Sequence, residues 1–145
     1  MKFLLRLTIF ILMFASITAC SEASKYKEVK PENGIVKIDV SSVNDGNAHY
    51  YSYKVDGKEV KFFLIKSNDG VIRAAFDACD VCYPQKKGYS QEGEFMVCNN
   101  CGQKFHSSKI NEVKGGCNPS PLARKENGGV ITISVADIKK GTFYF

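Results

Sequence analysis

The chain has 145 residues and a formal net charge of +5, with 20 Lys and Arg against 15 Asp and Glu. This length predicts one domain with a modest core rather than two domains. Because the basic and acidic residues are interspersed rather than clustered, a solvated surface is favoured over a nucleic-acid-binding face. We therefore expect no nucleic acid among the partners.

The first 20 residues have the pattern of a secretory signal. Lys2 and Arg6 precede an apolar run over 7–17, and small residues lead to Cys20. The run is shorter than the ~20 apolar residues that a membrane-spanning helix needs, although an uncleaved anchor is an alternative. The segment 17–20 (ITAC) is similar to the bacterial lipoprotein box, which implies lipidation of Cys20. We expect a signal peptide at 1–19, a lipidated tether at 20–33 and a β domain at 34–145.

The first half of the domain alternates between strand and turn patterns. Residues 21–33 are polar without apolar periodicity, which is typical of a tether. Alternation over 34–40 predicts a strand, and 41–48 contains turn residues. The runs 49–55 and 60–65 flank an Asp-Gly pair, a strong hairpin signal. After a turn at 68–70, the run 71–76 completes a predicted meander of about four strands.

The C-terminal part predicts fewer elements. A strand is expected at 130–135, a short helical turn at 135–140 and an edge strand at 142–145. No helical stripe of useful length is present, and the aromatic residues over 50–63 are typical of core or cross-strand pairs. The fold class is therefore mostly β: a single small domain, built as a sandwich or meander with two cysteine-knuckle loops.

Five of the six cysteines lie between positions 79 and 117. Cys79 and Cys82 form one C-x2-C pair, Cys98 and Cys101 form another, and fifteen residues separate the pairs. Two such knuckles at this distance predict a site in which four thiolates bind one metal centre, either zinc or an iron–sulfur cluster. Cys117 is a candidate additional ligand.

Other interpretations of the cysteines remain open. Exported cysteines often form disulfides, and a C-x2-C pair is also a redox motif. A structural zinc would link the two loops without chemistry. His106, five residues after Cys101, is a second candidate ligand. The sequence shows no acid–base pair and no activated nucleophile, which favours an electron-transfer or metal-binding protein over an enzyme.

The motifs of the cysteine region resemble those of the FtrD-like membrane iron–sulfur domain over most of the chain from about 35 to 133. The matching segments are 56–63 (DGKEVKFF), 74–82 (AAFDACDVC), 87–89 (KGY), 96–102 (MVCNNCG) and 115–119 (GGCNP). The resemblance implies an iron–sulfur centre and a role in electron delivery or metal handling beside an iron permease. In that family the domain is often fused to transmembrane helices, whereas this chain would carry a lipid anchor.

A second, looser resemblance is to the Rieske domain. There too a β-meander leads into one cysteine loop, a Gly-Glu-Phe-like strand (93–95 here) precedes a second, and a Gly/Pro-rich loop (115–121 here) closes the site. Rieske loops bind the cluster with two Cys and two His. Because neither knuckle here contains His, Cys82 and Cys101 would replace the histidines, and ligation by thiolates alone would lower the reduction potential.

The export signal bears on the identity of the metal. Lys2 and Arg6 are not adjacent, so the signal has no twin-arginine motif and predicts export of an unfolded chain. Iron–sulfur clusters are built in the cytoplasm, and a metal would here be loaded outside it. Zinc is therefore the main alternative cofactor. The predicted location is extracytoplasmic, on a bacterial membrane through lipid at Cys20.

Overall fold

The computed structural model describes residues 24–145, so the predicted signal peptide and Cys20 lie outside the described residues. The described part forms three small β-sheets, one short helix and four 3-10 turns. The strands are β1 (Lys27–Glu28), β2 (Ile35–Asp39), β3 (His49–Val55), β4 (Lys58–Lys66), β5 (Ile72–Phe76), β6 (Tyr89–Glu92), β7 (Phe95–Cys98), β8 (Lys104–His106), β9 (Lys125–Asn127) and β10 (Val130–Ser134), followed by helix α1 (Val135–Lys139). The mostly-β, single-domain prediction is confirmed.

The first sheet has the order β1-β3-β4-β5 and contains the predicted hairpin. Asp56 and Gly57 join β3 to β4 with φ angles of 51° and 74°. Two consecutive left-handed residues make a hairpin turn whose twist matches that of the flanking strands, which is why Asp-Gly is favoured there. Across this hairpin Tyr51 pairs with Phe62, and their rings stack with centroids 5.6 Å apart.

The second sheet corrects the predicted meander. Strand β2 was expected to precede β3 in one sheet, but it pairs with β10 instead, in the order β2-β10-β9. Val36 lies opposite Ile133, and each is about 1% exposed. The apolar alternation of residues 34–40 correctly predicts a half-buried strand, but alternation alone does not identify the strand's partner.

The third sheet lies entirely within the cysteine region. It has the antiparallel order β6-β7-β8, with Tyr89 opposite Cys98 and Met96 opposite Phe105. Cys98 is the last residue of β7. The second knuckle therefore begins at a position that backbone pairing fixes.

Strand β4 separates two groups of buried side chains. Phe62 and Leu64 belong to the larger group, with residues of the second sheet and the C-terminus. Phe63 and Ile65 point the other way, into a group that also holds three of the cysteines, Cys79, Cys82 and Cys98. Each fully buried Phe or Leu contributes about 1.5–3 kcal/mol through burial. The cysteine loops thus rest directly on an apolar support.

The C-terminus differs from the predicted edge strand at 142–145. Residues Thr142–Tyr144 form a 3-10 turn. The hydroxyl of Tyr144 lies 2.6 Å from Asp80 Oδ1 and 2.5 Å from Ser120 Oγ. These tertiary contacts hold the aromatic residues against the cysteine loops, so their β-propensity does not decide their local structure.

Part of the predicted tether lies against the domain. Lys27 and Glu28 pair in parallel with Tyr51 and Ser52 of β3, and the N–H of Val29 donates to the carbonyl of Ser52 over 2.9 Å. Backbone pairing at a sheet edge requires no apolar periodicity, so sequence alternation could not reveal it. Within residues 24–145, no helix has the length and apolar character needed to cross a bilayer.

Candidate metal centre

The first knuckle begins just after β5. The Cys82 N–H donates to Cys79 Sγ over 3.2 Å, and the Tyr83 N–H donates to the Cys79 carbonyl, also over 3.2 Å. A 3-10 turn at Tyr83–Gln85 follows. These bonds fold residues 79–83 tightly and keep both thiols on one side of the loop.

The second knuckle turns back on itself directly after β7. The Gly102 N–H donates to the Cys98 carbonyl over 2.8 Å, and Gly102 has a φ of 75°. The Cys98 N–H in turn donates to the Gln103 carbonyl over 2.9 Å. Because a left-handed φ is strained for most residues, glycine suits the turn that brings Cys101 back beside Cys98.

The loop that carries Cys117 is joined to β5. The carbonyl of Ser120 accepts from the Phe76 N–H over 2.8 Å, and the Leu122 N–H donates to the Ala74 carbonyl over 3.1 Å. Gly115 and Gly116 precede Cys117 with φ angles of 86° and 62°. The loop is thus fixed on its C-terminal side and turns sharply on its N-terminal side, placing Cys117 above the first knuckle.

The sulfur atoms of the five cysteines within residues 24–145 form two overlapping groups. Cys79, Cys82 and Cys117 make one group and Cys82, Cys98 and Cys101 the other, with ligand atoms within 4.8 Å of one another in each. Cys82 belongs to both groups, and its sulfur lies 3.7 Å from that of Cys117. All five are free thiols.

This arrangement differs in detail from the four-thiol site expected from the spacing. Four thiolates around one zinc ion, at Zn–S distances of about 2.3 Å, lie about 3.8 Å apart in every pair. Within residues 24–145, no four ligand atoms all lie within 4.8 Å of one another. The structure therefore brings the predicted ligands Cys79, Cys82, Cys98 and Cys101 to one region, with Cys82 at its centre and Cys117 alongside. Their ligand roles remain a prediction.

The chemistry of the donors is uniform, since both groups contain sulfur alone. Thiolates select zinc, copper(I) and iron–sulfur clusters over hard cations such as magnesium. The donor set therefore fits a thiolate-bound metal centre, including the iron–sulfur cluster that the motifs imply.

The thiols differ in their ease of ionisation. Burial raises the pKa of Cys98 to about 11 and that of Cys117 to about 12. The exposed Cys101 has a lowered pKa, chiefly because the Gln103 N–H donates to it. A bound cation would compensate the negative charge of these thiolates, so its binding would release protons from the thiols that hold it.

Asp77 connects the cysteine region to the N-terminal segment. Its side chain is 1% exposed, and its Oδ1 accepts from the Tyr89 N–H over 2.7 Å. Its Oδ2 accepts from the Tyr26 hydroxyl over 2.5 Å and lies 3.4 Å from Lys25 Nζ. Gly88 touches this carboxylate: a Cβ there would lie 2.5 Å from Oδ2.

Tyr89 carries this connection onward to the closing loop. Its hydroxyl donates to the Cys117 carbonyl over 2.6 Å. Burial, followed by contact with Cys79, raises its pKa, so the hydroxyl stays a neutral donor. Nothing in the sequence around Tyr89 indicates this role directly. The available signal was Asp77, a carboxylate within an otherwise apolar segment, which needs buried donors nearby.

His106 lies in neither sulfur group. Its Nδ1 lies 2.8 Å from Ser108 Oγ, and its Nε2 lies 3.2 Å from Glu94 Oε2. It pairs with Phe95 at the start of β7, whereas Cys98 is at the end of that strand. Both ring nitrogens thus have nearby partners that are not cysteines.

Comparisons with known proteins bear on this site. A family model described as "Membrane iron-sulfur containing protein FtrD-like" matches residues 43–145. No curated protein is similar enough to match the chain. Among solved structures, the quaternary ammonium Rieske monooxygenase CntA in complex with inhibitor MMV12 is 18% identical, with a TM-score of 0.45 over 68% of this chain and 30% of that chain. The same enzyme with gamma-butyrobetaine is 19% identical, with a TM-score of 0.43 over 67% and 30%. The chain spans less than a third of that enzyme's length, and the likeness is one of loose outline.

Proposed function

Because the chain belongs to the FtrD-like family of membrane iron–sulfur proteins, we propose that it holds an iron–sulfur centre on its cysteine loops and serves electron transfer or metal handling. The observation that carries the proposal is the sulfur arrangement, in which five thiols form two overlapping groups around Cys82. A bound cluster would supply one-electron chemistry. The chain itself supplies the soft ligands, the apolar support and a fixed loop geometry.

The surroundings of the thiols suit a redox centre. Cys79 and Cys98 are each 2% exposed, whereas Cys101 is exposed to solvent. One side of the centre is therefore shielded from water while the other is open to a partner. Burial and hydrogen bonding to sulfur are the means by which a protein sets a cluster's potential.

The proposed setting is extracytoplasmic. The sequence pattern before Cys20 supports lipid attachment there, which would hold the domain on a bacterial membrane. Its role would be accessory to iron transport, with an iron permease or another redox protein of the envelope as partner.

A structural zinc site is the second candidate, because the same thiolate donors suit zinc. Either group of three thiols, together with a fourth ligand, would provide the tetrahedral coordination that a structural zinc ion needs. A thiol–disulfide redox protein is the third candidate, since Cys82 and Cys117 have their sulfurs 3.7 Å apart.

Elemental analysis and spectroscopy of protein matured in its own envelope test the proposal. We expect iron and acid-labile sulfide, visible absorbance and a paramagnetic signal on reduction. One zinc per colourless chain contradicts the iron–sulfur proposal and supports the structural role. Metal-free protein that releases thiols on mild reduction and catalyses disulfide exchange supports the third candidate.

Two cysteine variants sharpen this test. Cys82→Ser removes a thiol that belongs to both groups, so it should abolish metal binding. Cys117→Ser is the matched control because it removes a neighbouring thiol that belongs to one group. We expect it to retain metal with an altered spectrum. Equal metal content in both variants would contradict the central position of Cys82.

A further inference from the structure

A groove of about 370 Å³ beside Tyr26 is rich in positive charge. We call it the basic groove; Lys58, Lys61 and Lys86 line it. Of these, Lys86 is exposed, and Lys58 Nζ donates to the carbonyl of Thr142 over 2.9 Å, which leaves its charge uncompensated.

The acidic residues that line the basic groove compensate little of this charge. Glu59 Oε2 lies 3.6 Å from Lys61 Nζ. Asp77 is buried and already bonded to Tyr26 and to Lys25. Among the lining side chains, three lysines face one exposed carboxylate, so the side chains carry an excess of positive charge.

The N-terminal segment is fixed to the domain at the edge of this groove. Lys25 Nζ donates to the Tyr89 carbonyl over 2.8 Å and lies 3.8 Å from the centroid of the Tyr50 ring. Tyr26 is bonded to Asp77, and residues 27–28 pair with β3. From Lys25 onward the chain therefore follows the surface of the domain.

This attachment shortens the distance between a lipid at Cys20 and the domain. Five residue steps separate Cys20 from Lys25, and an extended chain covers at most about 3.6 Å per residue, or roughly 18 Å in all. The predicted tether, which continues to residue 33, would have reached more than twice as far. With so short a connection, the side of the domain that carries Lys25 and Tyr26 must remain close to the lipid headgroups.

We propose that the basic groove docks onto an anionic lipid surface. This rests on the lipidation of Cys20 in the proposed function. Lysines are attracted to anionic headgroups within about a Debye length, roughly 8 Å at physiological salt. The short connection keeps the groove near that range, and the sign of its charge matches.

Docking in this orientation brings the metal centre to the membrane. Lys86 and Gly88 line both the basic groove and the cleft beside Cys79 and Cys82. The cysteine loops are therefore next to the docked face. The orientation suits a redox partner embedded in the same membrane.

Lysine acetylation of the mature, lipidated protein in vesicles tests the docking. One set of vesicles is phosphatidylcholine alone, and in the other phosphatidylglycerol replaces part of it. We expect Lys58, Lys61 and Lys86 to react about fivefold more slowly in the anionic vesicles, the factor that matches the attraction of one lysine to an anionic leaflet. High salt should remove the difference. Lys66, at the opposite end of β4, should react equally in both.

Variants separate docking from general effects of charge. In Lys58→Glu/Lys86→Glu, the protection of Lys61 should be lost. The matched control, Lys66→Glu/Lys104→Glu, makes the same charge change away from the groove and should keep it. Flexible residues inserted before Lys25 should also reduce the protection of Lys61, because the local lipid concentration falls.

The mass of the N-terminal peptide, which shows whether Cys20 carries lipid, and the metal content are both measured on the same samples. Equal acetylation in both vesicle types, with lipid present on Cys20, overturns the docking proposal. So does protection that occurs in native envelope vesicles alone, which would indicate an acidic protein as the occupant. Absence of lipid on Cys20 overturns both the anchor and the docking. Protected lysines in protein that lacks iron support the docking and count against the iron–sulfur centre.

Discussion

Replacing Gly88 with alanine tests whether the Asp77 carboxylate holds the cysteine region together. Gly88 has a φ of 63°, and a Cβ there would meet Asp77 Oδ2 at 2.5 Å and Cγ at 2.7 Å. Such distances are far below van der Waals contact, so either the carboxylate or the backbone must move. Because Asp77 is buried and hydrogen-bonded to Tyr26 and Tyr89, a movement of its carboxylate would break at least one of these bonds.

The expected cost has two parts. A left-handed conformation costs a non-glycine residue about 1–2 kcal/mol. Displacing the carboxylate breaks at least one hydrogen bond to a charged group, which adds about 1.5–3 kcal/mol. We therefore expect Gly88→Ala to lower the free energy of unfolding by about 2.5–5 kcal/mol.

The matched control is Gly93→Ala. Gly93 has a φ of 58° and no atom within 4 Å of a Cβ, so this variant should lose the conformational part alone, about 1–2 kcal/mol. Urea unfolding of both variants, at equal metal content, measures the difference. If Gly88→Ala costs no more than Gly93→Ala, the Asp77 carboxylate is not fixed in its position beside Gly88.

Three further predictions concern stability. Phe62→Ala, at a residue that is 0% exposed, should cost about 3–5 kcal/mol by urea unfolding, whereas Phe143→Ala, at 58% exposed, should cost far less. Tyr89→Phe leaves the Cys117 carbonyl without its donor and should cost about 1–3 kcal/mol in the same assay; an unchanged midpoint would contradict the bond. Hydrogen bonds from Arg73 lower the pKa of Asp69 to about 2. Because the folded-state pKa is lowered, the ionised carboxylate stabilises the folded protein at pH values above the unfolded-state pKa. This stabilisation is lost as the pH falls through the folded-state pKa. Asp69→Asn should therefore melt below the wild type at pH 7, and the gap should close between about pH 4 and pH 2; a gap independent of pH would refute this.

Most strands could be predicted because their local signals agree with their tertiary environment. The hairpin at Asp56-Gly57 is fixed by the turn, and the run 49–55 becomes β3 within its predicted limits. Contacts between residues far apart in the sequence could not be predicted from the sequence. Nothing in residues 34–40 indicates that they pair with β10 rather than with β3, and nothing in residues 142–145 indicates that Tyr144 reaches Asp80.

In the candidate site, too, local structure could be predicted from the sequence and long-range contacts could not. The C-x2-C spacing predicts that each pair of thiols shares one side of a knuckle, because only local backbone is involved. The position of Cys117 depends on bonds between its loop and β5, more than forty residues earlier, so spacing could not place it beside Cys82. The buried hydrogen bonds of Asp77 and Tyr89 were hidden for the same reason.

Strand β4 separates the two apolar groups, and this separation has a consequence for the proposed metal centre. The larger group contains none of the five thiols, and most of its members come from the first two sheets and the C-terminus. Chelation would therefore loosen the hairpins around Cys98 while leaving the scaffold on the far side of β4 standing. If the proposed metal centre is present, the domain could lose and regain its metal without unfolding completely.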